Sequence, residues 1–96
     1  MCESHGTTFP LLEKSCSVTS DCFIALHMVS CCGTQTAIGL ATTSESEFTA
    51  AENKCEMAYP GCGCAEGPTT AEDSRNETMG TIQVECRAGA CTTFVP

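Results

Sequence analysis

The stretch CSVTSDCFIALHMVSCC, residues 16–32, contains the most apolar run of the chain and has cysteines at both ends. Within it, residues 23–29 (FIALHMV) carry apolar side chains in both alternating sets, which is typical of a strand covered on both faces. A buried helix is the rival interpretation, but the β-branched and aromatic residues favour a strand. We therefore predict that residues 23–29 form the central strand of a small domain held together by disulfides.

Three further strands are predicted around this one. Residues 37–42 form a second, weaker strand, which returns from a turn and completes a hairpin with the first. Residues 82–87 alternate between apolar and polar side chains, as in a half-buried strand. A tight turn at residues 88–89 then leads into a last strand at 91–95.

The only helix is predicted over residues 44–59. Ser44 and Glu47 have the spacing of a capping box, and Pro60 with Gly61 ends the helix. Apolar residues at helical spacing predict a stripe that faces the core, and glutamates on another face are expected to be solvated. The stripe consists of Phe48, Ala51, Cys55 and Ala58, and the solvated glutamates are Glu45, Glu52 and Glu56.

These elements predict a single α+β domain over residues 1–96, with the helix at about 44–59 packed on a 3–4-stranded antiparallel sheet. The chain has no Trp and one Tyr, so its apolar core is small and cross-links are needed for stability. Residues 1–15 are expected to form an extended arm, with Leu11 and Leu12 over part of the core.

Residues 65–80 are expected to form a long, mobile, acidic loop. Such a loop on a rigid scaffold is either a recognition loop or an insertion without a partner. Asn76 begins a glycosylation sequon, which has meaning only in a eukaryotic secretory pathway and which we take to be silent.

Ten cysteines, an even number, indicate a fully paired framework in an oxidising compartment, so the protein is predicted to be secreted, periplasmic or on the cell surface. We expect a mature domain in which Met1 replaces a leader. A lipid anchor at Cys2 is the disfavoured alternative, because it would leave an odd number of cysteines. Their spacing does not determine the pairing. The cysteines are Cys2, Cys16, Cys22, Cys31, Cys32, Cys55, Cys62, Cys64, Cys86 and Cys91.

Two close pairs of cysteines are candidates for chemistry. Cys31 and Cys32 are adjacent, and the alternation of side chains along an extended chain directs them to different partners. Cys62 and Cys64 have the spacing of a C-x-C dithiol or a soft-metal clip. They follow the C-terminal end of the helix among acidic residues, which disfavours a thiolate. A thiol-based metal-binding or redox protein that uses either pair is therefore the alternative to purely structural cysteines.

No catalytic motif accompanies the two histidines. A catalytic set could be drawn from His27, a cysteine and Asp21. We expect instead that His27 is a partly buried structural residue bonded to the backbone, because no nucleophile signature is present. A hairpin turn at 88–89 would place Cys86 opposite Cys91, where they could bridge each other or point to separate partners. The chain is therefore predicted to be no enzyme and to hold no metal or cofactor.

The net charge of −8 disfavours nucleic acid and anionic membrane surfaces as partners. The chain has no apolar run long enough to span a membrane. We predict a monomer whose partner is an extracellular protein.

Asp21-Cys22 and Cys31-Cys32, in a C-x5-C…CC run, resemble in part knottins and whey-acidic-protein domains. The 22 residues that follow before the next cysteine contain a strand and most of a helix, which neither family has, so an inhibitor function is not implied. The arrangement DC…CCG…YPGCGC…C-x4-C within residues 16–94 more closely resembles uncharacterised cysteine-rich secreted or lipoprotein domains of bacteria. That resemblance implies no known activity. We predict a disulfide-rich binding or interaction module of unknown ligand.

Overall fold

The structure is a computed structural model that describes residues 12–58 and 62–96. These residues form an α+β fold with one α-helix and four strands, which lie in two antiparallel two-stranded sheets. The order of elements is as predicted, but the strands make two sheets where the sequence predicts one. The elements are β1 (Cys22–Met28), β2 (Gln35–Ala41), α1 (Glu45–Ala58), β3 (Gln83–Arg87) and β4 (Ala90–Phe94).

The first hairpin, β1–β2, has a register that places large side chains opposite small ones. Ile24 lies opposite Gly39, and Leu26 lies opposite Ala37. The reverse face of the hairpin packs on α1 and forms the apolar core. That core consists of Ala25, Leu40 and Phe48, with Leu12, Phe23 and Ile38 packed against it.

The second hairpin, β3–β4, packs on the face of the first hairpin that carries the small side chains. A Cβ atom on Gly39 would lie 2.7 Å from the carbonyl carbon of Cys91, so β4 can approach β2 this closely only over a glycine. Ala37 and Ala41, two residues away on either side, are buried in the same contact. The Cys22–Cys91 disulfide links β1 to β4.

The turn of the second hairpin is the predicted one. Ala88 and Gly89 both have positive φ, 50° and 79°, as a two-residue type I′ turn requires. Cys86 and Cys91 face each other across the hairpin but bond to separate partners, Cys16 and Cys22. The sequence leaves open whether Cys86 and Cys91 bridge each other or bond to separate partners. The structure shows separate partners.

The N-terminal segment from residue 12 bonds to both sheets. The Glu13 carbonyl accepts a hydrogen bond from the Ala41 N–H at 2.9 Å, and the Lys14 carbonyl accepts one from the Cys91 N–H at 2.7 Å. The Ser44 hydroxyl, predicted to cap the helix, instead accepts from the Glu13 N–H and donates to the Glu13 carbonyl. Met1, Cys2 and the rest of the predicted arm up to Leu11 lie outside the described residues.

The predicted stripe of α1 is confirmed at Phe48 and Cys55, which are buried, and the side chain of Ala58 lies outside the described part. Glu45 and Glu56 are exposed as predicted. Glu52 is not, since only 7% of its surface is exposed. It follows Phe48 by four residues and precedes Cys55 by three, which places it on the same helix face.

Candidate binding groove

An open groove of about 670 Å³ lies between β1 and the segment 77–82. Ile24 and Leu26 line it from β1, and Met79 and Ile82 add further apolar surface. Ile24, Leu26 and Met79 are 37%, 45% and 64% exposed. Apolar side chains that stay exposed next to one another mark interaction sites more often than single ones do. The other lining residues are Thr69, Glu77, Thr78, Gly80 and Thr81.

The groove exists because the second hairpin does not cover β1 fully. β4 packs on the small residues of β2, and the large side chains opposite them, Ile24 and Leu26, remain at the side of this contact. The prediction that both faces of β1 are covered, and that β1 is a central strand, is therefore wrong. β1 pairs only with β2 among the described strands. The signal in the sequence is the row of small residues at 37, 39 and 41, which marks where another backbone comes close.

The wall of the groove opposite β1 belongs to the region predicted to be a mobile loop. Thr70 donates its N–H to the Gln35 carbonyl at 3.3 Å, and its own carbonyl accepts from the Ala37 N–H at 2.8 Å. Ala71, the next residue, is buried. These contacts attach the loop to the outer edge of β2, so residues 69–71 are held in place by the sheet.

A turn at residues 76–79 completes this wall. The Asn76 side-chain oxygen accepts hydrogen bonds from the N–H and the hydroxyl of Thr78. The Glu77 N–H donates to the Thr69 carbonyl at 2.9 Å, and the Met79 N–H donates to the Asn76 carbonyl at 3.0 Å. The turn therefore positions Met79 in the groove, and the amide of the sequon residue takes part in it.

Glu72 fastens the loop to both sheets. Its Oε1 accepts from the N–H groups of Gly39 at 2.9 Å and Thr93 at 3.0 Å, and its Oε2 accepts from Lys14 Nζ at 2.9 Å. Burial raises the pKa of Glu72, but the Gly39 N–H, Lys14 and the Thr93 N–H together hold it below its ordinary value. The carboxylate is thus ionised at neutral pH and joins four parts of the chain.

His27 and Glu52 form a buried pair on the opposite face of β1. His27 Nδ1 lies 2.7 Å from Glu52 Oε1, and the Met28 N–H donates to Glu52 Oε2 at 2.8 Å. A carboxylate from α1 therefore lies beside the histidine, a contact that the sequence does not predict. The position of His27 in an apolar strand is the feature of the sequence that indicates a polar partner, because a buried imidazole needs one.

The catalytic set that could be drawn with Asp21 is not assembled. The Asp21 carboxylate accepts from the N–H groups of Ser17 and Val18, which hold its pKa below the ordinary value, and His27 binds Glu52 instead. His27, Glu52 and Cys55 each place one donor atom within 4.8 Å of the others, a spacing that suits a metal ion. The Cys55 sulfur is in a disulfide, however, and is not a thiolate ligand.

All nine described cysteines are disulfide-bonded. Cys31 and Cys32 bond to different partners, as the alternation of side chains predicts. The described cysteines therefore offer no thiolate for the metal-binding or redox alternative at Cys62 and Cys64, or at Cys31 and Cys32. Four pairs are Cys16–Cys86, Cys22–Cys91, Cys31–Cys62 and Cys32–Cys64, and Cys55 is disulfide-bonded as well.

The fold and its cross-links define the class of this protein as a small, disulfide-rich α+β domain. Comparison of the chain with protein-family models, with curated proteins and with solved structures gives no match. No helix among the described residues has the length and apolar character that crossing a membrane requires.

Proposed function

We propose that this protein is a binding module of an oxidising compartment, secreted, periplasmic or on the cell surface, and that it binds an extracellular protein through the groove between β1 and residues 77–82. The observation that carries the proposal is the exposure of Ile24, Leu26 and Met79 on walls that hydrogen bonds and disulfides hold in place. A concave site that combines apolar side chains with polar groups, here Glu77 and three threonines, is a usual form of binding site. Small domains stapled by several disulfides are typical of oxidising compartments.

A pair of variants tests the groove. Leu26→Thr removes apolar surface from the groove, and threonine, as a β-branched residue, is well suited to a strand. Met57→Gln removes an equally large side chain that is 85% exposed on α1 and does not line the groove. Each variant and the unchanged protein are immobilised, and secreted and cell-envelope fractions of the source organism are passed over them.

We expect one partner to bind the unchanged protein and Met57→Gln, and to be lost or weakened about tenfold on Leu26→Thr. A partner that binds all three equally would place the binding surface elsewhere. The absence of any retained partner, or its loss on both variants alike, would contradict the proposal.

The compartment is tested separately by counting free thiols in denatured, unreduced protein and by metal analysis of the native protein. A structural role for every cysteine predicts no free thiol and no bound metal. Two or more free thiols, or stoichiometric metal, would instead support the thiol-based alternative at Cys62 and Cys64.

A further inference from the structure

On the outer edge of β1, two backbone N–H groups have no hydrogen-bond partner among the described residues. In the antiparallel ladder, alternate residues of a strand point their N–H groups away from the partner strand. In β1 these are residues 22, 24, 26 and 28. Three of their cross-strand partners, Ala41, Gly39 and Ala37, donate outwards, and the carbonyl of the fourth, Gln35, accepts from Thr70 on the same side. The first of the four, Cys22, donates to the Thr19 carbonyl.

The last of the four, Met28, donates to Glu52. Only Ile24 and Leu26 remain, and within the described part of the chain no hydrogen bond satisfies their N–H groups. These two residues also carry the exposed apolar side chains that line the groove. Unpaired backbone donors and apolar side chains therefore meet at one short stretch of strand edge.

We propose that this edge binds an extended basic segment of the partner protein by strand addition. The proposal rests on the proposed function and names the chemistry of its partner. In an antiparallel arrangement, Ile24 and Leu26 each exchange two backbone hydrogen bonds with the added strand. Every second side chain of the added strand then lies on the groove side, beside Leu26 and Met79, so these positions are apolar.

The charge of the molecule identifies the other positions as basic. The net charge is −8, and β1 itself contains no Lys or Arg. Lys14 is paired with Glu72, and Arg87 is paired with Glu85 and lies over Phe94. A basic segment is therefore attracted at long range by the net charge, and two of the four Lys and Arg side chains already pair with carboxylates of the protein.

A second copy of the chain is the competing occupant of this edge. Two β1 edges could pair, but each copy brings a charge of −8, and β1 itself contains no Lys or Arg. Like-charged partners repel each other on approach. The charge therefore favours a basic partner over self-association.

The test uses a synthetic peptide of about six residues, the length of a typical strand, in which lysine alternates with valine. A control peptide has glutamate in place of lysine. Two further peptides carry backbone N-methyl groups on one or the other alternate set of residues, so that only one of them loses the N–H groups that face β1. Affinity is measured by calorimetry, and amide hydrogen exchange is measured residue by residue by NMR.

We expect the lysine peptide to bind more tightly than the glutamate peptide, by about tenfold or more at low salt. We expect exchange at Ile24 and Leu26 to slow by about tenfold or more when the lysine peptide is bound. One N-methylated peptide should lose binding and the other should keep it. The Leu26→Thr variant should bind the lysine peptide more weakly than Met57→Gln does.

Binding of the lysine peptide without any change in exchange at Ile24 and Leu26 would overturn strand addition and leave the groove as the binding site. Equal binding by the lysine and glutamate peptides would overturn the basic partner. A concentration-dependent dimer that protects the same two amides would show that a second copy is the occupant. The immobilisation experiment tests the proposed function, and the peptide experiment tests strand addition. Failure of one proposal can therefore be distinguished from failure of the other.

Discussion

The two strands of the first hairpin have similar apolar sequences but opposite surroundings. β2 also directs alternate N–H groups away from its partner, and three of them are satisfied: Ala37 by the Thr70 carbonyl, Gly39 by Glu72 and Ala41 by the Glu13 carbonyl. The loop 65–80 and the N-terminal segment therefore hold the edge of β2, whereas no described residue bonds to the N–H groups of Ile24 and Leu26 in the middle of the β1 edge. Proteins generally cover strand edges to prevent unwanted pairing. Unpaired N–H groups on one edge of an otherwise well-bonded domain therefore indicate that this edge serves for binding.

The largest expected difference between the two edges is in amide exchange of the free protein. The amides of Ala37 and Gly39 exchange only when the sheet opens, because a hydrogen bond protects each of them. The amides of Ile24 and Leu26 exchange without any opening. We expect the two β1 amides to exchange about 1,000-fold faster, as measured by NMR. Comparable rates on both strands would mean that the β1 edge is covered, which would remove the basis for strand addition.

The closed side of the hairpin depends on Gly39. A Cβ atom there would lie 2.7 Å from backbone atoms of Cys91 and Thr92, which cannot move aside as a flexible side chain can. We expect Gly39→Ala to lower the free energy of unfolding by about 3 kcal/mol, measured by urea denaturation. Gly67→Ala is the matched control, because its Cβ atom would make only ordinary contacts with Thr34. A loss of similar size at both glycines would show that β4 does not pack on β2 as described.

The local pattern of the sequence predicts the elements of this fold but not its long-range contacts. Strand alternation predicts that Cys31 and Cys32 have different partners, and helical spacing predicts that Phe48 faces the core. Neither pattern predicts that Glu52 binds His27, since that contact depends on how α1 lies across β1. A polar sequence such as 65–80 is typical of a mobile loop, and its attachment to β2 rests on partners far away in the chain.

The open edge of β1 could not be predicted for the same reason. An apolar strand has the same sequence pattern whether its second face is covered by another sheet or lines a groove. What decides it here is the position of β4 over the small residues opposite Ile24 and Leu26, which is a property of the packed molecule. The residues that could hold a partner are therefore visible in the structure and not in the sequence pattern.

Two neighbouring carboxylates of the loop 65–80, Glu72 and Asp73, make the domain sensitive to acid. The N–H groups of Val95 and Arg75 lower the pKa of Asp73, and the pKa of Glu72 is lowered on balance as well. A folded-state pKa below the unfolded value contributes stability above the unfolded pKa, near 4, and the contribution is lost as the pH falls through the folded-state pKa. We expect urea midpoints to fall over this acidic range.

The variant Glu72→Gln isolates one of these groups. At neutral pH it should cost about 1 kcal/mol, because neutral hydrogen bonds replace charge-assisted ones to Gly39, Thr93 and Lys14. The difference from the unchanged protein should narrow as the pH falls and Glu72 itself becomes neutral. Glu66→Gln, at an exposed position, is the control. A difference that stays constant with pH would mean that the Glu72 charge does not stabilise the closed edge.

The smallest effect on stability is expected on the open side. Leu26 is 45% exposed, so Leu26→Thr should change the free energy of unfolding by no more than about 0.5 kcal/mol. Its cross-strand partner, Ala37, is fully buried, and Ala37→Thr should cost about 2 kcal/mol because the added atoms must fit between β2 and β4. Urea denaturation measures both. A large loss at Leu26 would show that its side chain is needed for folding, and its exposure would then no longer indicate a surface kept for a partner.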